Sequence, residues 1–269
     1  MAGPQRTSPW WTVWGLVILV WAMFPLAWMV SLAFKSPDTF RTGTPSFLPK
    51  EWTWENFRTV FSDELFTSAL RNSFGIAIIA TALSVVVAMF AAYAIARLEF
   101  PGKRLLLSMA LAIAMFPQAA LVGPLFNMWR GLGIYDTWLG LIIPYLTFAL
   151  PLSIWTMSAF FRQIPWEMEQ AAQVDGATPW QAFRRVIVPL AAPGVFTTAI
   201  LTFFFCWNEF LFAISLTSTD RARTVPAALS FFTGQSQFQS PVTAVMAASV
   251  VVTIPIVILV LVFQRRIVA

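Results

Sequence analysis

The chain has 269 residues, of which 58% are hydrophobic and 11% are charged, and its net charge is +5. A soluble domain carries about 25% charged residues, so a soluble globular fold is excluded. The basic residues stand in short clusters between apolar stretches, which is typical of membrane orientation signals and argues against nucleic-acid binding. The sequence has no histidine and one cysteine, Cys206, interpreted as a buried small hydrophobe, so we expect no metal site, no catalytic residue and no internal disulfide.

Six apolar stretches are long enough to cross a membrane as helices, which takes about 20 residues. They cover residues 9–34, 68–96, 105–129, 137–161, 190–217 and 242–263. The first stretch is longer than a signal-peptide core of about 7–15 residues and lacks a small-x-small cleavage site, so we expect a retained helix. The predicted fold class is therefore an all-α membrane protein with about six transmembrane helices.

An even number of spans places both termini on the same side of the membrane. The basic residues on that side stand tightly at helix ends, whereas most of those on the other side are spread through one long loop. The clustered residues are Arg6, Arg97, Lys103, Arg104, Arg162, Arg184, Arg185, Arg265 and Arg266. Because basic residues accumulate on the cytoplasmic side, we predict a multi-pass protein of the cell membrane with both termini in the cytoplasm.

The segments between the spans then alternate between the two sides. Residues 35–67 are external and include a predicted amphipathic helix over residues 56–66, and residues 130–136 and 219–241 are also external. Residues 97–104 form a tight cytosolic turn. Five prolines inside the spans are either ordinary bends or hinges of a transport pathway. They are Pro117, Pro124, Pro144, Pro151 and Pro255.

The large cytosolic loop, residues 162–189, begins with signals for a short helix. Pro165 suits the first helical turn, and Glu167 and Glu169 follow in that turn, where carboxylates interact favourably with the helix dipole. Gly176 suits the C-terminal cap of this helix. A small apolar side is predicted along it, formed by Met168, Ala171, Ala172 and Val174.

A second helix is predicted directly after this glycine corner. Thr178 suits an N-cap and Pro179 the first helical position, and we expect the helix to end at Arg184 and Arg185 before Pro189 leads into the fifth span. Residues 162–189 would thus form a two-helix knob. The pattern leaves two interpretations open: the knob lies in a groove of another protein, or it lies on the lipid headgroups.

The sequence of the knob resembles a known family. The run E-Q-A-A-Q-V-D-G-A over residues 169–177, followed by Phe183, Val186 and Pro189, closely resembles the EAA loop of permease subunits of ATP-binding-cassette (ABC) importers. The flanking runs I-P-W-E and P-L-A-A-P are similar to the carbohydrate-uptake branch typified by the maltose permease. Further matches are N-S at 72–73, A-Y-A-I-A-R at 92–97, M-F-P at 115–117 and W-N-E-F at 207–210. The turn at residues 98–104 and the C-terminal sequence resemble the permeases of actinobacterial trehalose importers.

The resemblance implies the type I ABC importer permease fold. It implies a first helix with an external segment over residues 1–67, a core domain of five helices over 68–264 and a cytosolic tail over 265–269. It also implies that the chain is a transport subunit and not an enzyme, which moves a disaccharide such as trehalose, or an α-glucoside such as maltose, by alternating access.

The expected partners follow from the same resemblance. The sequence has no G-x-x-x-x-G-K-[ST] phosphate loop, so no cofactor is expected on this chain, and ATP and magnesium are expected on two cytosolic ATPase subunits. A second homologous permease subunit, an external sugar-binding protein and membrane lipid are the other expected partners.

The residues expected to couple this chain to the ATPase are those that match the EAA loop. They are Glu167, Glu169, Gln170, Ala171, Ala172, Asp175, Gly176, Ala177, Phe183, Arg184 and Pro189. The family's leading glutamate falls on Gln170, which puts the salt bridge of that glutamate in doubt. We expect coupling to survive, because Glu169 is adjacent and the glycine corner is intact.

The sugar pathway is predicted from aromatic and polar residues, the side chains that usually hold sugars. The candidates are Tyr145, Phe205, Trp207, Asn208 and Glu209. For the aromatic candidates, ordinary helix packing is the preferred interpretation. A continuous helix from Pro189, at about 1.5 Å per residue, would place Glu209 roughly 30 Å along, near the outer boundary of the membrane. There it would cap a helix, meet the binding protein, pair with an arginine or contact the sugar.

Two other classes of membrane protein fit the sequence less well. Secondary transporters and channels usually have ionisable residues near mid-membrane or inverted repeats with broken helices. Here Glu209 is the one charged residue away from the ends of a predicted span, and no repeat is visible. A membrane-embedded enzyme would need a catalytic constellation, which a chain without histidine and without paired carboxylates in its spans does not supply.

Overall fold

The structure, a computed structural model, describes residues 9–42, 46–232 and 242–267. Within these residues the regular elements are helices. Four helices are long and apolar enough to cross a membrane: α1 (Pro9–Ala33), α4 (Glu64–Arg97), α7 (Trp138–Gln163) and α14 (Val242–Ile267). Two bent helix pairs bring the number of spans to as many as six when each pair counts as one. The predicted all-α membrane fold with about six spans is confirmed.

The third predicted span, residues 105–129, is not one straight helix. It consists of α5 (Lys103–Ala114) and α6 (Gln118–Leu132), which are bent by 85° at the break between them. Pro117 adopts an extended conformation before α6. A proline has no N–H to continue a helix and disfavours helical geometry in the residue before it, so α5 ends there. The other four prolines lie inside helices.

The fifth predicted span, residues 190–217, is broken twice. The helical segment Pro179–Leu190 and α11 (Ala192–Asn208) meet at 70°, with Pro193 at the start of α11. A second break lies at Glu209, whose extended backbone precedes α12 (Leu211–Leu216). The predicted position of Glu209, roughly 30 Å along one continuous helix, is therefore wrong.

The chain divides into two compact units, the first comprising residues 1–67 and 231–255. Its α1 is apolar on every side and largely exposed, as a lipid-facing helix is. Asn56 closes the C-terminal end of α1, because its amide donates hydrogen bonds to the carbonyls of Ala33 at 2.8 Å and Lys35 at 2.7 Å. The predicted positions of α1 and α14 as spans agree with the structure, and α14 continues to Ile267.

The predicted helix over residues 56–66 is also corrected. Two short helices, α2 (Pro37–Thr42) and α3 (Glu55–Ser62), follow α1, and α3 ends before Asp63. The Asp63 carboxylate accepts a hydrogen bond from the backbone N–H of Leu65 at 2.8 Å. Asp63 therefore caps a new helix, α4, instead of lying within the old one.

The second unit comprises residues 68–230 and 256–269, and α4, α7 and α11 build its core. Alanines of α4 recur at helical spacing and are fully buried, which allows close helix packing. They are Ala69, Ala77, Ala80, Ala88 and Ala92. One hydroxyl from each of the three helices joins a hydrogen-bonded chain, with Ser84 3.1 Å from Ser153 and Ser153 2.8 Å from Thr202.

The Asn72-Ser73 pair fastens the start of α4 to the segment before α13 (Val225–Phe231). The Asn72 amide donates to the carbonyls of Asp220 at 2.8 Å and Arg223 at 3.0 Å, and Ser73 accepts from the N–H of Val225 at 2.8 Å. The helix α13 lies within the predicted external segment 219–241. Residues 233–241 of that segment lie outside the described residues.

Gly75 provides a direct test of this packing. A Cβ atom at Gly75 would overlap the ring of Trp138, whose indole N–H is anchored to the Asn72 side chain at 3.0 Å. We predict that Gly75→Ala destabilises the protein by about 1–3 kcal/mol, the usual cost of overpacking. Gly123→Ala is the matched control, because no other part of the described structure lies within 4 Å of its Cβ position in α6, and it should gain about 0.5–1 kcal/mol. Thermal unfolding in detergent measures both changes, and equal midpoints would contradict the prediction.

Candidate functional site

The first helix of the knob is α8 (Trp166–Val174), with Glu167 and Glu169 in its first turn as predicted. Pro165 is its N-cap residue and does not lie inside the first turn. The helix ends in a Schellman motif, in which Ala177 N–H donates to the Ala172 carbonyl at 2.9 Å and Gly176 N–H to the Gln173 carbonyl at 3.0 Å. Gly176 has φ +87°, which L side chains adopt at a cost. The prediction that the first helix of the knob ends at Gly176 is confirmed.

The second helix begins as predicted and ends later than predicted. Thr178 and Gln181 form a capping box at the start of α9 (Pro179–Ala182). The helical backbone then continues through a π-helical turn, Phe183–Ile187, into α10 (Val188–Leu190), so the predicted end at Arg184 and Arg185 is wrong. Pro189 lies within α10 and has no N–H for the Arg185 carbonyl, which accounts for the wider turn before it.

Glu169 points into the protein, whereas Gln170 is exposed. Glu169 is 6% exposed, and its carboxylate accepts a hydrogen bond from the Tyr93 hydroxyl and lies 3.6 Å from Nε of Arg97. Successive helical residues are about 100° apart around the axis, so Glu169 cannot present its charge where Gln170 does. Of the two reasons given for coupling to survive, the proximity of Glu169 to Gln170 is therefore wrong, whereas the glycine corner is intact.

The remaining predicted coupling residues divide between the outside and the inside of the knob. The exposed ones are Glu167, Gln170, Ala171, Asp175, Gly176, Arg184 and Pro189, and the half-buried ones are Ala172 and Ala177. Phe183 is buried and packs edge-on against Tyr93 with ring centroids 4.7 Å apart. Three large apolar side chains of α8 are exposed, Trp166, Met168 and Val174, of which Val174 is the most exposed at 86%.

Sequence reasoning missed the role of Arg97 and Tyr93, which it used only as a motif and an orientation signal. Both are on α4, four residues apart, so they share one face of the helix. An aromatic hydroxyl and a cation at this spacing, at the end of an otherwise apolar helix, were the available signal. The acidic residue that they bind, Glu169, lies 72 positions beyond Arg97 in the numbering of the chain, so their contact could not be read from local sequence.

The predicted pathway residues do not form one surface. Tyr145, Trp207 and Glu209 are buried, Phe205 is half-buried and Asn208 is exposed. The Tyr145 hydroxyl faces the Glu209 carboxylate. Trp207 stacks on Phe203 with centroids 5.5 Å apart, as ordinary packing predicts.

Glu209 binds backbone N–H groups of the residues that follow it. Its two carboxylate oxygens accept hydrogen bonds from the N–H groups of Phe212 at 2.8 Å and Ala213 at 3.1 Å. Glu209 thus caps the N-terminus of α12, one of the four roles considered for it. Cys206 is buried, as predicted. Within the described residues, no group of three or more histidine, cysteine, aspartate or glutamate side chains could hold a metal.

Comparison with known proteins connects this fold to transport systems. Residues 84–269 match the family model described as binding-protein-dependent transport system inner membrane component. The chain is 54% identical to the trehalose transport system permease protein SugB of Mycobacterium tuberculosis, over 98% of this chain and 96% of that protein. It is 40% identical to the trehalose/maltose transport system permease protein MalG of Thermococcus litoralis, over 94% of this chain and 91% of that protein.

A solved structure shares the fold over the full length. A chain in the crystal structure of a bacterial ABC transporter involved in the import of the acidic polysaccharide alginate matches with a TM-score of 0.81 and 24% identity, and the match covers 98% of this chain and 99% of that one. A second structure shows a bacterial alginate ABC transporter in complex with an alginate pentasaccharide-bound periplasmic protein, with a TM-score of 0.69 and 17% identity over 96% and 95% of the two chains. The predicted ABC importer permease fold is confirmed.

Proposed function

Because this chain belongs to the family of binding-protein-dependent transport system inner membrane components, we propose that it carries a disaccharide, trehalose or an α-glucoside such as maltose, into the cell by alternating access. The identity of 54% with a trehalose permease over nearly the whole chain supports this substrate class. Membership of the family also makes the chain a multi-pass membrane permease and not an enzyme, as the sequence predicted.

The observation that carries the coupling role is the combination of a fixed knob and an exposed apolar tip. Met168 and Val174 are exposed on α8, whereas Glu169 of the same helix and Phe183 of the later π-helical turn are buried against Tyr93 of α4. A helix lying on lipid headgroups is usually rich in lysine and arginine on its polar face. α8 has two acidic residues and no basic residue, so its charge disfavours anionic lipid and leaves the groove of a protein partner as the better fit.

The partner in this proposal is a cytosolic ATPase, present in two copies, which holds ATP and magnesium. A second homologous permease subunit and an external sugar-binding protein complete the importer. Membrane lipid surrounds the exposed apolar helices. The proposal also puts both termini in the cytoplasm, and the exposed Arg104, Arg162, Arg184 and Arg185 in the predicted cytosolic segments support this orientation.

Reconstitution tests the proposal. We predict that proteoliposomes containing this chain, with its partner permease and ATPase chains, take up labelled trehalose or maltose when the binding protein and ATP are supplied. Omitting either component should lower uptake at least tenfold. Uptake driven by an ion gradient without the ATPase would favour a secondary transporter and contradict the proposal.

In the same vesicles, an Asp175→Cys substitution in a Cys206→Ala background should react with an impermeant maleimide only from the ATPase side.

A further inference from the structure

Arg97 lies where three helices meet. It is the last residue of α4, and it is only 7% exposed. Its Nη2 donates to the carbonyl of Ile164, which follows α7, at 2.9 Å, and its guanidinium lies over the ring of Trp166, the first residue of α8, at 5.0 Å from the centroid. Its Nε lies 3.6 Å from Glu169. One side chain thus contacts the end of α7 and two positions on α8.

The covalent connection between α7 and α8 is short and not helical. Ile164 and Pro165 both have extended backbone, so helical hydrogen bonding does not continue from one helix to the other. A rigid relation between the spans and α8 therefore needs contacts between side chains. Arg97 supplies them across this link, because it bonds to a carbonyl within the link and to residues beyond it.

The Glu169 carboxylate is held from two sides by the same helix. The Tyr93 hydroxyl donates to one oxygen, and Arg97 faces the other. A buried carboxylate is costly without such partners, so α8 strongly prefers the one position against α4 in which Glu169 has them. The position of Arg97 in the last turn of α4 adds a favourable interaction with the helix dipole.

We propose that Tyr93, Arg97 and Glu169 form a joint that makes α8 and the cytosolic end of α4 move as one body. Movement of the knob then reaches the second span directly, through the joint, as well as through the chain connections to α7 and α9. The three are positioning residues, because they act through the placement of α8. This inference rests on the proposed coupling function of the knob.

A distance measurement tests the joint without depending on the substrate. Spin labels at Val87→Cys on α4 and Gln173→Cys on α8, both at exposed positions, are placed in a Cys206→Ala background of the assembled complex. The distance should be narrow and equal in the nucleotide-free and ATP-bound states. Tyr93→Phe and Glu169→Gln should each broaden it. A distance that shifts between the two states of the unaltered joint would overturn the proposal, even if the importer proves to carry something other than a sugar.

A double-mutant cycle tests whether the residues act through each other. Arg97→Gln and Glu169→Gln should each lower transport per ATP hydrolysed at least tenfold, with the ATPase still co-purifying. The double variant should lose no more than the worse single variant, and losses that multiply would overturn the joint. Tyr93→Phe, the mildest change, should lose at least threefold, and normal coupling in it would also overturn the joint. Lys103→Gln is the control, since it breaks the exposed Lys103–Glu99 pair of 2.7 Å and should stay within twofold.

Discussion

Replacing Gly176 with valine should lower both sugar transport and sugar-stimulated ATPase activity of the reconstituted importer at least tenfold. Gly176 has φ +87°, a conformation that costs an ordinary L residue about 1–2 kcal/mol and a β-branched residue more. Among the described residues, no atom beyond its immediate chain neighbours lies within 4 Å of its Cβ position, so the effect arises from the backbone and not from a collision. Relief of this strain would break the Schellman motif and change the angle between α8 and α9.

Two further substitutions make the Gly176 experiment specific. Gly176→Asn should retain most activity, since asparagine tolerates the left-handed region better than other non-glycine residues do. Gly102→Val carries the same kind of strain, with φ +83° and no neighbour within 4 Å of its Cβ in the part of the chain that the structure describes, but it lies in the turn before α5. It should leave coupling nearly unchanged. Normal sugar-stimulated ATPase activity in Gly176→Val, or an equal loss in Gly102→Val, would refute the assignment of the corner as the coupling element.

The local structure of the knob could be predicted because its signals are local. Thr178 and Pro179 mark a helix start and Gly176 a helix end within a few residues of the chain, and these marks correspond to hydrogen bonds between near neighbours. The six apolar stretches were visible for a similar reason, since crossing a membrane requires an uninterrupted run. Identification of the family then followed from spacing within the same loop.

The direction of side chains could not be predicted in the same way. Glu169 and Gln170 are adjacent and similar in polarity, yet one is buried against Arg97 and the other is exposed. Which of the two faces inward depends on how α8 is rotated against α4, and that rotation is set by contacts between residues distant in the chain. A bend at Pro117 was expected from the proline, but the end of α5 before it was not, and the break at Glu209 was missed because the continuous apolar composition suggested one helix.

Glu209→Ala should destabilise the protein by roughly 2–6 kcal/mol. The substitution leaves the buried N–H groups of Phe212 and Ala213 without an acceptor, and each such group costs about 1–3 kcal/mol. Glu209→Gln keeps one carbonyl oxygen and should lose about half as much. Asn208→Ala is the neighbouring control: its side chain is exposed and folds back onto the Phe204 carbonyl at 2.8 Å, so the change should stay within about 0.5 kcal/mol. Unfolding midpoints in detergent rank the three variants.

Transport kinetics of Glu209→Gln then separate a cap from a sugar contact. A cap acts on the shape of the break between α11 and α12, so the sugar concentration at half-maximal transport should remain within twofold of the wild-type value. A carboxylate that bound sugar hydroxyls directly would lose charge-assisted hydrogen bonds of about 1.5–3 kcal/mol, and this concentration would rise roughly tenfold or more. Because both oxygens of Glu209 are already engaged by backbone N–H groups, we expect the first outcome. If the sugar concentration at half-maximal transport rises tenfold while stability is unchanged, Glu209 contacts the sugar, and capping α12 is not its main role.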